Sequence, residues 1–266
     1  MELNSLGRKT DLIFAKFSGE VYDKNGCKVV RTPSNPGYHW GNYIVFNEEP
    51  KKGDLKKWKQ VFDDEFEYYN EPHHYTFVWN NDKPGTDAHA EFLEEGFEFD
   101  SAKVLLTTKL NKPKYYNAEI EVRTLVSDED WEKAIQLQIS SAEKKYLNHY
   151  YEEFKRKQFS QYRKMSEAGL GHWFGAFLGE QIVGDLGVYF ENDCARYQSV
   201  ETHESFRRQG ICGTLVYEAG QYALSHYGVK YLVMEADPEY HAARIYESVG
   251  FKAKEINYSL CWWKKS

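Results

Sequence analysis

The stretch Phe206-Arg207-Arg208-Gln209-Gly210-Ile211-Cys212-Gly213-Thr214 decides how the rest of the chain is interpreted. A strand pattern precedes it and an amphipathic helix pattern follows it. Gly210 and Gly213 can adopt positive φ and carry no Cβ, so successive backbone N–H groups can converge on one anion at the start of a helix. Arg207 and Arg208 add positive charge. The stretch therefore predicts a phosphate-binding loop, with an ordinary solvated loop as the alternative.

A second pattern follows in Ala242-x-x-x-Tyr246-x-x-x-Gly250-Phe251, a helix that carries a tyrosine and ends in Gly-Phe. The two patterns together resemble the GNAT family of acyl-CoA-dependent N-acetyltransferases, whose pyrophosphate loop reads Arg/Gln-x-x-Gly-x-Gly/Ala. This chain has Cys212 at the last loop position and Glu239 where the family usually has an asparagine before the helix. The resemblance implies the GNAT fold, which is an α/β fold with a mixed, mostly antiparallel sheet flanked by helices.

Composition limits the classes of protein to which the chain can belong. Its 266 residues are 41% hydrophobic and 17% aromatic, enough to fill the cores of two units. No run of 18 apolar residues occurs and the first residues open no signal-peptide pattern, so we expect a cytoplasmic protein with no membrane segment. The net charge of -7 argues against a nucleic-acid surface and favours a cationic amine as partner.

The cysteines and histidines do not predict a metal site. Cys27, Cys194, Cys212 and Cys261 are scattered without metal-ligand spacing, so reduced thiols are expected. The adjacent pair His73-His74 has no further ligand at a suitable spacing. We therefore predict no bound metal.

Apolar periodicity and turn residues predict an alternation of strands and helices along the whole chain. Strands are predicted at 12–17, 27–31, 42–46, 75–79, 104–110, 118–125, 172–177, 181–189, 196–202 and 230–236, with final strands ending at Trp263. Helices are predicted from Gly53, at 88–95, 128–141, 148–167 and 210–227, and from Ala242.

The two halves of the chain resemble each other at an offset of 154 residues. This offset aligns Gly96-Phe97 with Gly250-Phe251 and the strand at 104–110 with 258–264. Phe92 then stands where the second half has Tyr246, and Lys51-Lys52-Gly53-Asp54 stands where the loop should be. We therefore predict a tandem of a degenerate GNAT-like domain at 1–114 and an intact, catalytic one at 115–266. The alternative is that two helices end in Gly-Phe by chance.

The resemblance implies that acetyl-CoA is the acyl donor and that it lies against the loop and the strand before it. The amides of its pantetheine arm would pair with that strand as an added strand does. The residues implied to bind it are Val200, Thr202, Arg207, Arg208, Gln209, Gly210, Ile211, Cys212, Gly213 and Thr214.

Two residues are candidates for proton transfer. The resemblance places Tyr246 near the thioester sulfur, where its hydroxyl can protonate the departing thiolate. Glu201 is the carboxylate nearest in sequence to the expected thioester site, so it is the first candidate for the general base. Glu235 on the next predicted strand and loss of the proton through ordered water stay open as alternatives.

The predicted function is acetyl transfer from acetyl-CoA to an amine by direct attack on the thioester. The acceptor, a small molecule or a peptide, is not readable from the sequence, and an oligomer is possible. A non-catalytic acyl-CoA sensor or interaction scaffold is the alternative, favoured by Cys212, Glu239 and the degenerate first half. A longer acyl donor would require a wider pocket near Trp173 and Tyr189.

Overall fold

The structure is a computed structural model that describes residues 1–67, 74–85, 89–142, 147, 150–238 and 242–264. His73, Glu239, the first residue of the predicted helix 88–95 and the first two residues of the predicted helix 148–167 lie outside these ranges. Within the described ranges, no helix combines the length and the apolar character that crossing a membrane requires. The chain forms two compact units. Unit 1 comprises Met1–Val104 and Glu255–Ser266, and unit 2 comprises Leu105–Lys254.

Helices and strands alternate along the described residues. The helices are α1 (Leu6–Ser18), α2 (Asp54–Phe66), α3 (Ala90–Glu94), α4 (Asp128–Ser140), α5 (Tyr151–Glu167), α6 (Ile211–His226) and α7 (Ala242–Ser248). The strands are β1 (Glu20–Lys24), β2 (Cys27–Arg31), β3 (Tyr43–Phe46), β4 (His74–Trp79), β5 (Glu98–Thr107), β6 (Glu121–Thr124), β7 (Gly171–Leu178), β8 (Gln181–Glu191), β9 (Cys194–Thr202), β10 (Tyr231–Ala236) and β11 (Lys252–Trp263).

Unit 1 is a sheet with the strand order β1-β2-β3-β4-β11-β5. The pairs β1–β2, β2–β3 and β4–β11 are antiparallel, whereas β3 and β4, which are connected through α2, are parallel. An aromatic core holds the unit together: Trp58 of α2 stacks on Phe46 with ring centroids 3.9 Å apart, and Phe77 and Phe92 are fully buried beside it. Aromatic side chains bury large areas, so this cluster is a major source of stability.

Unit 2 repeats this arrangement with the strand order β5-β10-β9-β8-β7-β6. Its parallel pair is β9 and β10, connected through α6, and β6 to β9 are antiparallel. Leu215, Val216, Ala219 and Ala223 recur at helical spacing on α6 and are completely buried in the core. The mixed, mostly antiparallel α/β architecture and the internal repeat are thus both confirmed.

One predicted strand is wrong. Residues 12–17 lie in α1, which begins after Ser5, whose side chain accepts a hydrogen bond from the Arg8 N–H at 3.0 Å. The buried side chains of α1 include Arg8, Leu12 and Ala15, which share one helical face. A short apolar run does not distinguish a strand from a buried helix, and the capping serine supplies the missing information.

The two units do not coincide with the two halves of the chain. Strand β5 passes from unit 1 to unit 2 after Val104, and β11 passes from unit 2 to unit 1 after Lys254. In unit 1, β11 pairs antiparallel with β4, from Ser259 opposite Val78 to Trp263 opposite His74. The compact units thus change after Val104 and after Lys254, whereas the predicted boundary at 114 between the two copies stays a prediction.

Candidate active site

Gly210 begins α6 in a conformation that requires glycine. Its φ is 77° and its ψ is -1°, which is the left-handed region. A Cβ at this position would lie 2.0 Å from the carbonyl oxygen of Tyr115. Arg208, two residues earlier, also has a positive φ of 63°. The loop is therefore bent sharply just before the helix, as the sequence predicts.

The first amides of α6 are available to an anion. Among the described residues no side chain caps this helix, whereas serine side chains cap α1 and α4. The N–H groups of residues 211–213 have no acceptor within the helix, and the first amide used is that of Thr214, which donates to Gly210 O at 3.0 Å. Free amides and the helix dipole together favour a negatively charged ligand.

The segment at 113–117 supports the loop without consuming these amides. Asn117 donates from its backbone N–H to Thr214 Oγ1 at 2.8 Å and from Nδ2 to the Gln209 carbonyl at 2.9 Å. Gly213 faces Pro113, whose Cβ would be 3.4 Å from an added Cβ. Asn117 thus holds the loop through a hydroxyl and a carbonyl oxygen. These contacts do not use the N–H groups of residues 211–213.

Arg207 connects the loop to the end of β9. Its Nε donates to the Thr202 carbonyl at 3.1 Å, and its Nη2 lies 3.3 Å from Glu201 Oε1. The same carboxylate oxygen accepts from the Thr202 N–H at 2.9 Å. Three predicted site residues are therefore brought together, while the neighbouring Arg208 and Gln209 are exposed.

Cys212 fits the position where the resemblance expects glycine or alanine. Burial raises the pKa of its thiol to about 12, so the side chain is neutral and adds no repulsion toward an anion. Next to it, Thr202 Oγ1 is buried without a hydrogen-bond partner of standard geometry among the described residues, its polar neighbour being this weakly bonding thiol. Ile211 is buried in the core.

Strands β9 and β10 separate beside the loop. They pair only from Cys194 to Arg196 and from Tyr231 to Val233, although β9 continues to Thr202 and β10 to Ala236. Arg196, the last residue of β9 in this pairing, forms an ion pair from Nη2 to Glu235 Oε2 at 3.1 Å, and Glu235 lies beyond the paired part of β10. Backbone groups of β9 around Val200 are thereby left for an extended ligand. The ion pair engages Glu235, the second candidate for the base.

The end of β9 carries a bulge that a buried amide supports. The register between β8 and β9 shifts between Asp185 and Gly187, and Ser199 has a positive φ of 48°. Gln138 Nε2 donates both to the Ser199 carbonyl at 2.9 Å and to Asp185 Oδ1 at 2.8 Å. A positive φ at a residue other than glycine is strained and is retained where its surroundings enforce it.

Sequence reasoning missed the charged groups beneath α4 and α5. Asp185 is fully buried opposite Glu201 in the strand register, and its Oδ2 accepts from Trp173 Nε1 at 3.0 Å. Burial raises the pKa of the Asp185 carboxyl from 3.8 to about 8, and burial lowers the pKa of Lys155 to about 8. The sequence does contain a signal for a buried charged group, because Asp185 stands in the middle of the apolar run 182–188.

Replacing Asp185 with asparagine is expected to change the pH dependence of stability. Between about pH 4 and 8 the folded protein keeps a proton on Asp185 that the unfolded chain has released, so stability falls as pH rises. The limiting slope for one group is about 1.4 kcal/mol per pH unit. Asp185→Asn should remove this contribution in urea unfolding between pH 5 and 7.5. Asp193→Asn, at a half-exposed side chain, is the control, and an unchanged slope in Asp185→Asn would contradict the assignment.

Tyr246 lies on α7, next to the start of α6. Its side chain is buried in the core of unit 2 with Val249 and Phe251. The preceding residue, Ile245, approaches Gly213, where an added Cβ would lie 3.6 Å from its Cγ2. The predicted proton donor therefore belongs to a helix that packs beside the predicted loop.

Unit 1 has the same local geometry, but its helix start is already occupied. Gly53 begins α2 with a φ of 93°, as Gly210 begins α6. Glu91 Oε1 accepts from the Gly53 N–H at 3.0 Å and from the Leu55 N–H at 3.1 Å. Phe92, at the position that corresponds to Tyr246, is completely buried among aromatic rings. In unit 1 the Glu91 carboxylate thus binds the amides at the start of α2, where a ligand anion would otherwise bind.

Comparisons with known proteins agree with this geometry. Residues 131–251 match the acetyltransferase (GNAT) family. The fold is similar to that of a conserved protein of unknown function from Staphylococcus epidermidis, with a TM-score of 0.76 and 15% identity over 94% of this chain and 95% of that chain. A GCN5-related N-acetyltransferase from Kribbella flavida gives a TM-score of 0.65 and 15% identity over 95% and 93%.

A tandem architecture is also found among the similar structures. A tandem GNAT protein from the clavulanic acid biosynthesis pathway gives a TM-score of 0.55 and 13% identity over 96% of this chain and 87% of that chain. No curated protein sequence matches this chain. At these identities the structural matches establish the fold, and the family match covers most of unit 2. Residues 131–251 therefore form a domain of the acetyltransferase (GNAT) family, in a chain with the fold of GCN5-related N-acetyltransferases.

Proposed function

We propose that unit 2 transfers an acetyl group from acetyl-CoA to the amine of a small molecule or peptide. The observation that carries this proposal is the uncapped start of α6 at Gly210, beside two parallel strands that separate. Membership of residues 131–251 in the acetyltransferase family supports the same reaction class. The acceptor amine attacks the thioester directly.

The residues at the loop fit the donor. The amides of residues 208–213 would hold the diphosphate of CoA, with the exposed Arg208 as countercharge. Pantetheine amides would pair with the free backbone of β9 near Val200, and the buried hydroxyl of Thr202 would gain a partner. Such a ligand would explain why Thr202 Oγ1 is buried without a partner and why the bend at Gly210 has no room for a Cβ.

The reaction requires two proton transfers. The amine must be neutral when its lone pair forms the N–C bond, so a base takes its proton, and we assign this step to Glu201. Arg207 orients that carboxylate. The C–S bond breaks as the tetrahedral oxyanion collapses, and the hydroxyl of Tyr246 protonates the departing thiolate. A backbone N–H at the bulge after Ser199 would stabilise the oxyanion.

An acetyl group, rather than a longer acyl group, suits the surroundings of β7 and β8. Trp173 and Tyr189 are both completely buried. The ring of Tyr162 lies between them, 4.9 Å from Trp173 and 5.8 Å from Tyr189, and the Tyr189 hydroxyl donates to the Tyr162 carbonyl. These side chains fill the region in which a long acyl chain would need space.

Unit 1 is not proposed as a second donor site. Glu91 occupies its helix start, and Phe92 offers no hydroxyl. A single site per chain should therefore bind acetyl-CoA, and calorimetry should give a stoichiometry close to one.

The direct test incubates the protein with acetyl-CoA and a panel of primary amines and follows the release of free CoA with a thiol reagent. We expect amine-dependent release by the natural protein and none by the double variant Arg207→Ala, Gly210→Glu. Calorimetric binding of acetyl-CoA without turnover over the panel would favour the alternative of an acyl-CoA sensor. Absence of both binding and turnover would reject the donor site itself.

A further inference from the structure

Lys155 is a buried cation that the proposed reaction does not use. It lies on α5 with only 9% of its surface exposed. Among the described residues its Nζ donates one hydrogen bond, to Gln158 Oε1 at 3.2 Å, and the rings of Tyr151 and Phe154 lie 5.9 and 5.6 Å away. An ammonium group has three donors, so two of them have no hydrogen-bond acceptor among the residues that the structure describes.

Such a group is costly unless something compensates it. A buried charge without full hydrogen bonding is destabilising, and two aromatic faces at this distance compensate only in part. Within the described part of the chain, no carboxylate lies within 4.0 Å of this ammonium group. Two donors of Lys155 are therefore available to an acceptor atom outside the described residues.

The charges around Lys155 have a definite arrangement. The carboxyl groups of Asp185 and Glu201 lie close enough to favour the charged form of Lys155. Glu201 is paired with Arg207, and Asp185 accepts from Gln138 and Trp173. Helix α5 and strand β9 are neighbours, since Gln198 Nε2 donates to the Tyr162 hydroxyl at 3.0 Å. Lys155 on the helix and Glu201 at the end of the strand are thus opposite charges on neighbouring elements, and the acceptor amine would approach Glu201. A molecule that carries both an ammonium group and a carboxylate matches this arrangement.

We infer that Lys155 binds a carboxylate of the acceptor, so that the acceptor is an amine of the amino-acid type. Its amino group lies toward Glu201 and its carboxylate accepts the two remaining hydrogen bonds of Lys155. This inference rests on the proposed acetyl transfer in unit 2 and specifies its substrate class. Lysine donates charge-assisted hydrogen bonds to carboxylates, which are stronger than neutral ones.

The test uses pairs of amines that differ only in a carboxylate: L-phenylalanine and phenethylamine, L-lysine and cadaverine, L-ornithine and putrescine. We expect the natural protein to prefer the carboxylated member of at least one pair by about tenfold or more in kcat/KM. Lys155→Met should lower this preference by about 10- to 100-fold, because a hydrogen-bonded charge is lost. Lys155→Arg should retain most of it. Lys157→Met, at an exposed lysine of the same helix, should leave it unchanged.

Two results would overturn the inference. One is a ratio of kcat/KM near one between the members of every pair in the natural protein, and the other is an equal loss of kcat/KM for both members of each pair in Lys155→Met. Calorimetric titration of the carboxylated amines, with and without CoA, separates this failure from that of the proposed function. If no amine is acetylated but carboxylated amines still bind in a Lys155-dependent way, the subsite stands and the proposed acetyl transfer fails. If their binding is absent or does not depend on Lys155, the subsite is rejected whether or not acetyl-CoA binds. Retained acetyl-CoA affinity and an unchanged circular dichroism spectrum establish that Lys155→Met folds.

Discussion

Gly210→Ala is expected to weaken acetyl-CoA binding by about 100-fold or more, which corresponds to about 2.7 kcal/mol. The added Cβ would lie 2.0 Å from the Tyr115 carbonyl oxygen, in a backbone conformation that is already unfavourable for alanine. The loop must shift to relieve this contact, and the amides of residues 211–213 then lose their common direction. Each charge-assisted hydrogen bond to a phosphate oxygen is worth roughly 1.5–3 kcal/mol, so a small displacement has a large effect. Isothermal titration calorimetry measures it.

Gly179→Ala is the matched control for this prediction. Gly179 also has a positive φ, of 60°, but an added Cβ would have nothing within 4 Å. Both variants should lose stability from backbone strain, by roughly 1–2 kcal/mol, and only Gly210→Ala should also lose affinity. Equal affinity in the two variants would mean that the bend before α6 does not hold the diphosphate.

Tyr246→Phe is expected to lower kcat by about 10²- to 10⁴-fold, the range that a general acid usually contributes. The dissociation constant for acetyl-CoA should change by less than about threefold, because the phenyl ring keeps its place in the core of unit 2. Turnover is measured by release of free CoA with the best acceptor, and affinity by calorimetry. The split between an unchanged affinity and a reduced kcat distinguishes proton donation from a role in donor binding.

Tyr222→Phe makes the same chemical change on α6, in an aromatic cluster with Phe174 and Tyr227. This control should retain turnover. If Tyr246→Phe also retains it, the thiolate is protonated by another group and Tyr246 is only part of the core. A loss of acetyl-CoA affinity together with turnover would instead indicate that the hydroxyl contributes to donor binding.

The parts of the fold that follow local rules could be predicted from the sequence. The loop at Gly210 and the helix after it combine residues with strong conformational preferences, and both are found where predicted. The repeat was also predictable, because Gly96-Phe97 and Gly250-Phe251 end equivalent helices. Strand 12–17 was wrong because a short apolar run carries no clear period, and the capping role of Ser5 was overlooked.

The chemistry between elements could not be predicted in the same way. Asp185 on β8 accepts a hydrogen bond from Gln138 on α4 and acts electrostatically on Lys155 on α5. These interactions arise from the packing of the three elements, and the positions of the residues in the sequence do not indicate them. The Glu91 carboxylate on the Gly53 amide is likewise a contact across 38 positions. The roles of Glu201 as base and Tyr246 as acid stay predictions, and Tyr246→Phe tests the second of them.

Unit 1 is built from both ends of the chain, which has a consequence for its synthesis on the ribosome. Residues 259–263 pair antiparallel with β4, and until they are made that edge of β4 presents unpaired N–H and C=O groups. Because synthesis proceeds from the N-terminus, unit 1 can complete its sheet only when the last residues have left the ribosome.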